Sequence, residues 1–341
     1  MSDPCSADRP LVNFVVPYDD AALARLAGCD PDAAVRAGGS DAALFSHGGP
    51  SAWCMLTYLR LRARSDRPLR LSNRPDRAAI NVVHAHQLAG LGGARDCFFV
   101  SARADLDNRL FAHAQVVQNR AQSGPDAVWI DHWPQPGLLA RERPIEAVRA
   151  VGYLGIVYNG NLALGEEYWT TLLATRGMAF VKPEVEHWHD YRALDAVIAV
   201  RSLDERAHPR KPASKLINAW HAGVPFVGGA DSAYAQIGRA GHDYLRATSV
   251  EEIMAALDAL AEDPGLRQRL IANGREAARR HGDEVIARRW LECLDGPIAA
   301  RWRRWRRAPR TEAARSRLLG PADALSLAAR ASAKAWLRRG R

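Results

Sequence analysis

Two lysines stand four residues apart in a short segment whose residue types suit the binding of an anion. Lys211 and Lys215 flank the run Pro-Ala-Ser, and an apolar helical stretch follows as far as Gly223. Backbone N–H groups at the start of a helix carry partial positive charge, which lysine side chains reinforce. The spacing therefore predicts a diphosphate site, and the amide of Asn218 could bind sugar hydroxyls. The simpler alternative is that both lysines lie on solvated surface.

Further polar residues follow other predicted strands in the second half of the chain. Gly155 follows a strand near 147–154, and Arg201 follows the strand at 195–200. Ser232 and Tyr234 come soon after the strand at 224–229. Ligands in parallel sheets bind beyond the carboxyl ends of the strands. We therefore expect these four residues to lie with the lysines in one ligand-binding site, although an ordinary turn at Gly155 remains open.

The first half offers candidates for a general base. The run Val-Val-His-Ala-His places His84 and His86 at a predicted strand end, where alternate residues share one face. Asp19 follows the first predicted strand, at 11–18. One such group could take the proton of an attacking hydroxyl. Rival bases are His47, Asp20 and Asp105. We expect the Asp105-Leu-Asp107 run to be a solvated loop, and no third zinc ligand accompanies the two histidines.

Strand and helix patterns alternate twice along the chain, which predicts two α/β domains with parallel sheets. Short apolar strands recur between residues 11 and 133, and the pattern restarts at about 147. Ser249 and Glu252 have capping-box spacing at the start of a helix over 248–264. We predict domains at 1–145 and 146–295 and a basic amphipathic helical tail at 296–341, with a cleft between the two domains.

The composition of the 341 residues is that of a globular protein, with 48% hydrophobic and 25% charged residues. No apolar run reaches the ~18 residues of a membrane span, and the first residues do not resemble a signal peptide. The five cysteines are scattered and form no Cys-x-x-Cys pair, which argues against disulfides and zinc. A cytoplasmic protein is expected.

Most of the net charge of +9 belongs to the tail, since residues 296–341 hold 13 basic and two acidic residues. The remainder is nearly neutral, so nucleic-acid binding by the whole protein is not expected. Ile298, Trp302 and Trp305 have helical spacing among arginines. This stripe could dock on the body of the protein, or lie on an anionic membrane. Nucleic-acid binding by the tail is the weakest of the three alternatives.

The run 218–227, Asn-Ala-Trp-His-Ala-Gly-Val-Pro-Phe-Val, resembles the end of a helix in GT-B nucleotide-sugar glycosyltransferases, commonly written Glu-Ala-Met-Ala-Ala-Gly-Val-Pro-Val-Val. Downstream, Gly241, Asp243 and the Asp263-Pro264 pair continue the similarity to the group 1 donor domain. The resemblance covers about 150–290 and is weaker over 11–130. The chain departs from the retaining subgroup, which has two glutamates where this chain has Arg210 and Asn218.

The resemblance implies two Rossmann-like domains, with acceptor bound by the first and donor by the second. It implies a glycosyltransferase that moves a sugar from a nucleotide diphosphate sugar to a saccharide or lipid-linked acceptor. No cofactor or essential metal is implied, because the nucleotide sugar is a co-substrate and Lys211 and Lys215 would hold its diphosphate. Retention and inversion both stay open. The alternatives are a non-catalytic protein that binds nucleotide sugar or glycan as a scaffold, and an epimerase of the same fold. The tail would place the enzyme peripherally at the inner membrane surface.

Overall fold

A computed structural model gives the architecture of most of the chain. The ranges that it describes are 9–39, 42, 44–45, 49–91, 94, 96–157 and 161–308, with the helical positions 311, 314–315, 318–319, 321–322, 325–326 and 329.

The first domain is built on a six-stranded parallel sheet. Its strands are β1 (Val12–Val15), β2 (Leu69–Ser72), β3 (Ile80–His84), β4 (Phe98–Ala104), β5 (Ala114–Val117) and β6 (Ala127–Trp129). They lie in the order β2-β1-β3-β4-β5-β6, and Val12 of β1 is opposite both Leu69 and Ile80. Every residue of β1, β3 and β5 is buried, as expected for parallel strands that are covered on both faces.

Helices cover this sheet and build its core. They are α1 (Asp20–Leu26), α2 (Pro31–Ala37), α3 (Leu56–Arg62) and the short α4 (Ala85–Leu88). A π-helical segment, Ser51–Met55, leads directly into α3. Phe14 and Leu56 are fully buried in the core between sheet and helices.

The second domain is built on a five-stranded parallel sheet. Its strands are β7 (Ala150–Gly152), β8 (Ala179–Val181), β9 (Ala196–Ala199), β10 (Phe226–Gly228) and β11 (Leu245–Arg246), in the order β11-β10-β9-β7-β8. The helices are α5 (Gly165–Ala174), α6 (Ser214–Ala222), α7 (Ser232–Ile237), α8 (Val250–Glu262) and α9 (Pro264–Ala278). The predicted cap is present, because the Ser249 hydroxyl accepts from the Glu252 N–H at 3.1 Å. The predicted class of two parallel-sheet α/β domains is confirmed.

The last helices return to the first domain. In α10 (Asp283–Cys293), Ile286 and Trp290 are buried in the core of the first sheet, although this helix falls within the range predicted for the second domain. Asp131, just after β6, accepts hydrogen bonds from His281 at 2.8 Å and from Arg289 at 2.6 Å. The predicted domain boundaries stay a prediction, but α10 packs against the first domain.

The described start of the tail is docked on the body. In α11 (Ala299–Arg307), Trp302 and Trp305 pack against the first core, and Arg301 donates to Asp126 and to the Pro125 carbonyl. The remaining arginines of the helix, Arg303, Arg304, Arg306 and Arg307, are exposed. Within the described residues no helix is long and apolar enough to cross a membrane.

Candidate functional site

A cleft of about 260 Å³ lies between the two domains, beyond the carboxyl ends of strands from both sheets. Gly155 follows β7, Arg201 follows β9, and Asp105 follows β4. This arrangement agrees with the rule that parallel sheets bind ligands at these ends. The predicted donor residues that line the cleft are Gly155, Arg201, Lys211, Lys215 and Asn218.

Lys215 lies in the first turn of α6 and presses against a glycine. A Cβ on Gly155 would come within 2.8 Å of the Lys215 Cε and 2.9 Å of its Nζ. The ammonium also lies 5.1 Å from the centre of the Tyr153 ring. Burial, together with the charges of Arg201 and Lys211, lowers the pKa of Lys215 to about 7. No carboxylate in the described part of the chain forms an ion pair with it, so it is available to an anion in the cleft.

Lys211 contacts the other domain. Its Nζ donates to Asp105 at 2.6 Å, and the neighbouring Arg210 pairs with Asp107. Asp105 is exposed, as expected for a solvated loop, but both carboxylates also bind cations across the domain boundary, which the sequence did not predict. Lys211 holds the pKa of Asp105 below its usual value, against the opposing effect of burial.

Arg201 is buried and fully engaged within the second domain. It donates to Asp231 at 2.7 Å and to the side-chain oxygen of Asn161 at 3.2 Å. The side chain is 6% exposed and that of Asp231 only 1%. Asp231 therefore balances the charge of Arg201. Towards a ligand, Arg201 would act as a hydrogen-bond donor and not as an unbalanced charge.

Asn218 lines the cleft from the second turn of α6, but its amide already has partners. Its oxygen accepts from the Gln135 N–H at 3.0 Å, and it also hydrogen bonds the buried hydroxyl of Tyr191. Gln135 belongs to the segment that leaves the first sheet. Asn218 thus fixes that segment against α6, and its side chain is only partly available for a sugar.

Two predicted donor residues do not line the cleft. Tyr234 is fully buried, with its ring 5.1 Å from Phe226 and 6.3 Å from Tyr244. The Ser232 hydroxyl accepts from Asn119 of the first domain at 2.9 Å. Helix α7 explains both positions. It begins at Ser232 and turns these side chains towards the core and towards the neighbouring domain.

The predicted bases do not line the cleft either. Strand β3 ends at His84 and α4 begins at Ala85, so His84 and His86 do not share a face. His84 is buried, which lowers its pKa to about 4, whereas His86 is exposed. Asp19 is exposed and caps α1, where it accepts from the Ala22 N–H at 2.8 Å. Among the rivals, Asp105 lines the cleft, Asp20 binds Asn73, and His47 is outside the described residues.

Sequence reasoning missed an aromatic wall on the first-domain side of the cleft. The rings of Trp53 and His132 meet edge to face with their centres 4.1 Å apart. Burial lowers the pKa of His132 to about 4, and its Nδ1 lies 2.7 Å from the Trp133 carbonyl. Trp53 lies in the π-helical segment, whose packing the sequence pattern does not predict. In the described residues no cluster of three or more His, Cys, Asp or Glu suits a metal ion.

Comparison with known proteins identifies the architecture. Residues 141–292 match the family model described as "Glycosyl transferase-like". HepE of Anabaena, solved with UDP and glucose, superposes with a TM-score of 0.52 at 11% identity, covering 84% of this chain and 100% of that one. The chain has the GT-B fold. The resemblance to GT-B nucleotide-sugar glycosyltransferases is confirmed.

A second solved structure covers a similar share of the chain. Sucrose-phosphate synthase of Thermosynechococcus elongatus gives a TM-score of 0.55 at 11% identity, over 86% of this chain and 100% of that one. The match to TarM covers 58% of the length of TarM and 72% of this chain. The identity is 8% and the TM-score is 0.48. No curated protein matches the sequence.

Proposed function

We propose that this GT-B protein transfers a sugar from a nucleoside diphosphate sugar to the hydroxyl group of an acceptor. The observation that carries the proposal is the ammonium of Lys215, which faces the cleft beside Gly155 and has no carboxylate partner in the described structure. The glycosyl transferase-like match over 141–292 and the similarity to HepE, whose structures contain UDP and UDP-glucose, support it.

The chemistry would depend on stabilising the leaving diphosphate. As the bond between the anomeric carbon and the phosphate oxygen breaks, negative charge grows on that oxygen. Lys211, Lys215 and the N-terminus of α6 supply positive charge there without a metal ion. Metal independence is accordingly part of the proposal.

The acceptor oxygen would form the new bond on the first-domain side, against Trp53 and His132. Its proton passes either to a base in the cleft or to the leaving phosphate. For the first route the described cleft lining offers the carboxylate of Asp105 and the imidazole of His132, because His84, His86 and Asp19 do not line the cleft. A saccharide or a lipid-linked saccharide fits an aromatic wall that carries few polar groups.

The test is thermal stabilisation by UDP, GDP, dTDP, ADP, CMP and their sugars. A ligand that binds only the native state stabilises it by about 2.7 kcal/mol at a hundredfold excess over Kd. We expect one base to be selected, and Lys215→Met to lose the shift. Lys182→Met is the matched control, since Lys182 pairs with Glu166 at 3.4 Å and does not line the cleft. An equal shift in wild type and Lys215→Met, or none with any nucleotide, would reject the donor site.

A non-catalytic nucleotide-sugar-binding scaffold is the second candidate. Arg210 and Asn218 replace the two glutamates of the retaining subgroup, and the Asn218 amide is occupied by Gln135 and Tyr191. Turnover distinguishes the candidates once the donor base is known. Release of nucleoside diphosphate with added acceptor supports the transferase, a changed sugar from donor alone indicates an epimerase, and binding without turnover supports the scaffold.

A peripheral position at an anionic membrane, on the cytoplasmic side, completes the proposal. The four exposed arginines of α11 lie near the exposed end of the described chain, where Leu318 and Leu325 are 74% and 72% exposed. Arginine and exposed leucine together suit an anionic lipid surface. Such a position would bring a lipid-linked acceptor to the enzyme.

A further inference from the structure

The three cations of the cleft differ in how their charges are balanced. Arg201 pairs with Asp231, and both residues belong to the second domain. Lys211 pairs with Asp105, which comes from the first domain. Lys215 forms no ion pair in the described part of the chain. The Lys211 pair is therefore the one whose two members can separate when a ligand enters between the domains.

Unusual backbone conformations precede both members of this pair. Strand β4 has a bulge between Ala102 and Ala104, and Ala104 adopts a positive φ of 53°. On the other side, His208 has a φ of 42°, and its carbonyl accepts from the Lys211 N–H at 3.0 Å. Left-handed conformations are unfavourable for residues other than glycine and persist where the surroundings enforce them. The backbone next to both residues is therefore constrained, so the ion pair opens by rotation of the side chains.

We propose that the Asp105 carboxylate binds Lys211 at the position of a donor phosphate, and that the diphosphate of the donor displaces it from Lys211. The inference rests on the proposed donor site. A carboxylate is an anion with two oxygens that accept from an ammonium as phosphate oxygens do. Asp105 thus acts on specificity through Lys211, as a positioning residue.

The charge balance explains which ligand can displace it. With Asp105 on Lys211, the cleft offers one uncompensated ammonium, that of Lys215. Once Asp105 moves away, two ammonium groups face the ligand, and they match the two negative charges of a nucleoside diphosphate sugar. A sugar joined through a single phosphate carries one charge, which Lys215 satisfies alone. Asp105 therefore favours diphosphate donors over monophosphate donors.

The second ion pair provides a matched control. Asp107 lies two residues after Asp105 and pairs with Arg210, which precedes Lys211. Neither Asp107 nor Arg210 lines the cleft. The pair holds the same two loops together without touching the subsite. Loss of the Asp107 pair should loosen the domain contact as much as loss of the Asp105 pair, and should leave the subsite unchanged.

The test measures the Kd of inorganic pyrophosphate and of singly charged dimethyl phosphate by calorimetry, which requires no knowledge of the base. The Asp105 and Lys211 side chains are 41% and 30% exposed, so their pair is modest in strength. We expect Asp105→Asn to tighten pyrophosphate binding by about two- to fivefold. Dimethyl phosphate, a single phosphate with one negative charge that Lys215 can balance alone, should change by less. Asp105→Glu should return the pyrophosphate Kd towards that of the wild type, and Asp107→Asn should leave it unchanged.

The outcomes separate this inference from the proposed function. An unchanged or weaker pyrophosphate Kd in a folded Asp105→Asn variant overturns the role of Asp105, even where Lys215→Met shows that the donor site exists. Equal tightening in Asp107→Asn overturns it as well, because domain loosening would then be the cause. Absence of pyrophosphate and nucleotide binding in wild type and Asp105→Asn alike rejects the donor site itself.

Discussion

The charge of Lys215 depends on what fills the cleft. In the empty site, burial and the neighbouring Arg201 and Lys211 lower its pKa to about 7. A bound diphosphate favours the ammonium and raises that pKa again. At pH 8 the empty site holds less than a full proton on Lys215, whereas the occupied site holds one. Binding must therefore take up a proton.

This linkage gives the first prediction. The affinity for a nucleoside diphosphate sugar, whose phosphates do not titrate near neutral pH, should be constant below about pH 7 and should fall by up to about tenfold per unit above it, until the pKa of the bound state is reached. Calorimetry at pH 8 in buffers of different ionisation enthalpy should record the proton uptake. Lys215→Arg provides the control, since arginine stays charged throughout. Zero proton uptake in the wild type at pH 8 would contradict the prediction.

Gly155 gives a second prediction at the same scale. A methyl group there would meet the Lys215 Cε at 2.8 Å and displace the ammonium, while the flexible lysine side chain lets the fold persist. We expect Gly155→Ala to weaken nucleotide binding by about tenfold, roughly 1.4 kcal/mol, with little change in unfolding free energy. Fluorescence titration and urea unfolding measure the two quantities. Gly124→Ala, with no atom within 4 Å of the new Cβ, should leave both unchanged.

Strands and helices could be predicted from the sequence where burial alone determines them. The apolar runs at 195–202 and 224–229 contain β9 and β10, because strands covered on both faces consist almost wholly of apolar residues. The end of β3 was not predictable. Whether His86 continues the strand or belongs to a helix depends on how α4 packs in the fold. The local sequence Val-Val-His-Ala-His does not determine that packing.

The same limit applies to the candidate site. Lys211, Lys215 and Gly155 could be found because helix starts and glycine turns have local signals. Only four of the 47 basic residues are lysines, at 182, 211, 215 and 334, and two of the four lie within five residues at the start of α6. Asp105 was named only as a rival base, and its ion pair with Lys211 could not be predicted, because the two residues lie 106 positions apart along the chain.

The tail carries the third prediction, at the scale of an element. Trp302 and Trp305 are packed on the body, so lipid contact falls to the exposed arginines of α11 and to Leu318 and Leu325. Vesicles that contain phosphatidylglycerol should sediment the protein, and phosphatidylcholine vesicles should not. Replacement of Arg303, Arg304, Arg306 and Arg307 by glutamine should reduce binding by at least about tenfold, at about 1 kcal/mol for each charge. Equal sedimentation of this variant would exclude the helix as the lipid contact.

At the scale of the whole molecule, polar contacts join the two domains behind the cleft. Asn119 at the end of β5 is fully buried, and all four hydrogen-bonding positions of its amide are used. It donates to the Lys211 carbonyl at 3.0 Å and to Ser232, and its oxygen accepts from Gln236 at 2.8 Å and from the Ala121 N–H. Its isostere aspartate cannot make the two donations. Asn119 thus ties the backbone of Lys211, in the second domain, to the first domain.

The last prediction follows from this geometry. Asn119→Asp keeps the shape but places a carboxylate against the Lys211 carbonyl, so we expect a loss of about 2–4 kcal/mol in unfolding free energy. Nucleotide affinity should fall as well, because Lys211 loses its anchor. Asn273→Ala is the control, since its 2.8 Å bond to the His242 carbonyl lies within the second domain and far from the cleft lining. It should reduce stability and leave affinity unchanged. Equal loss of affinity in both variants would mean that global stability, and not the tie between the domains, determines nucleotide binding.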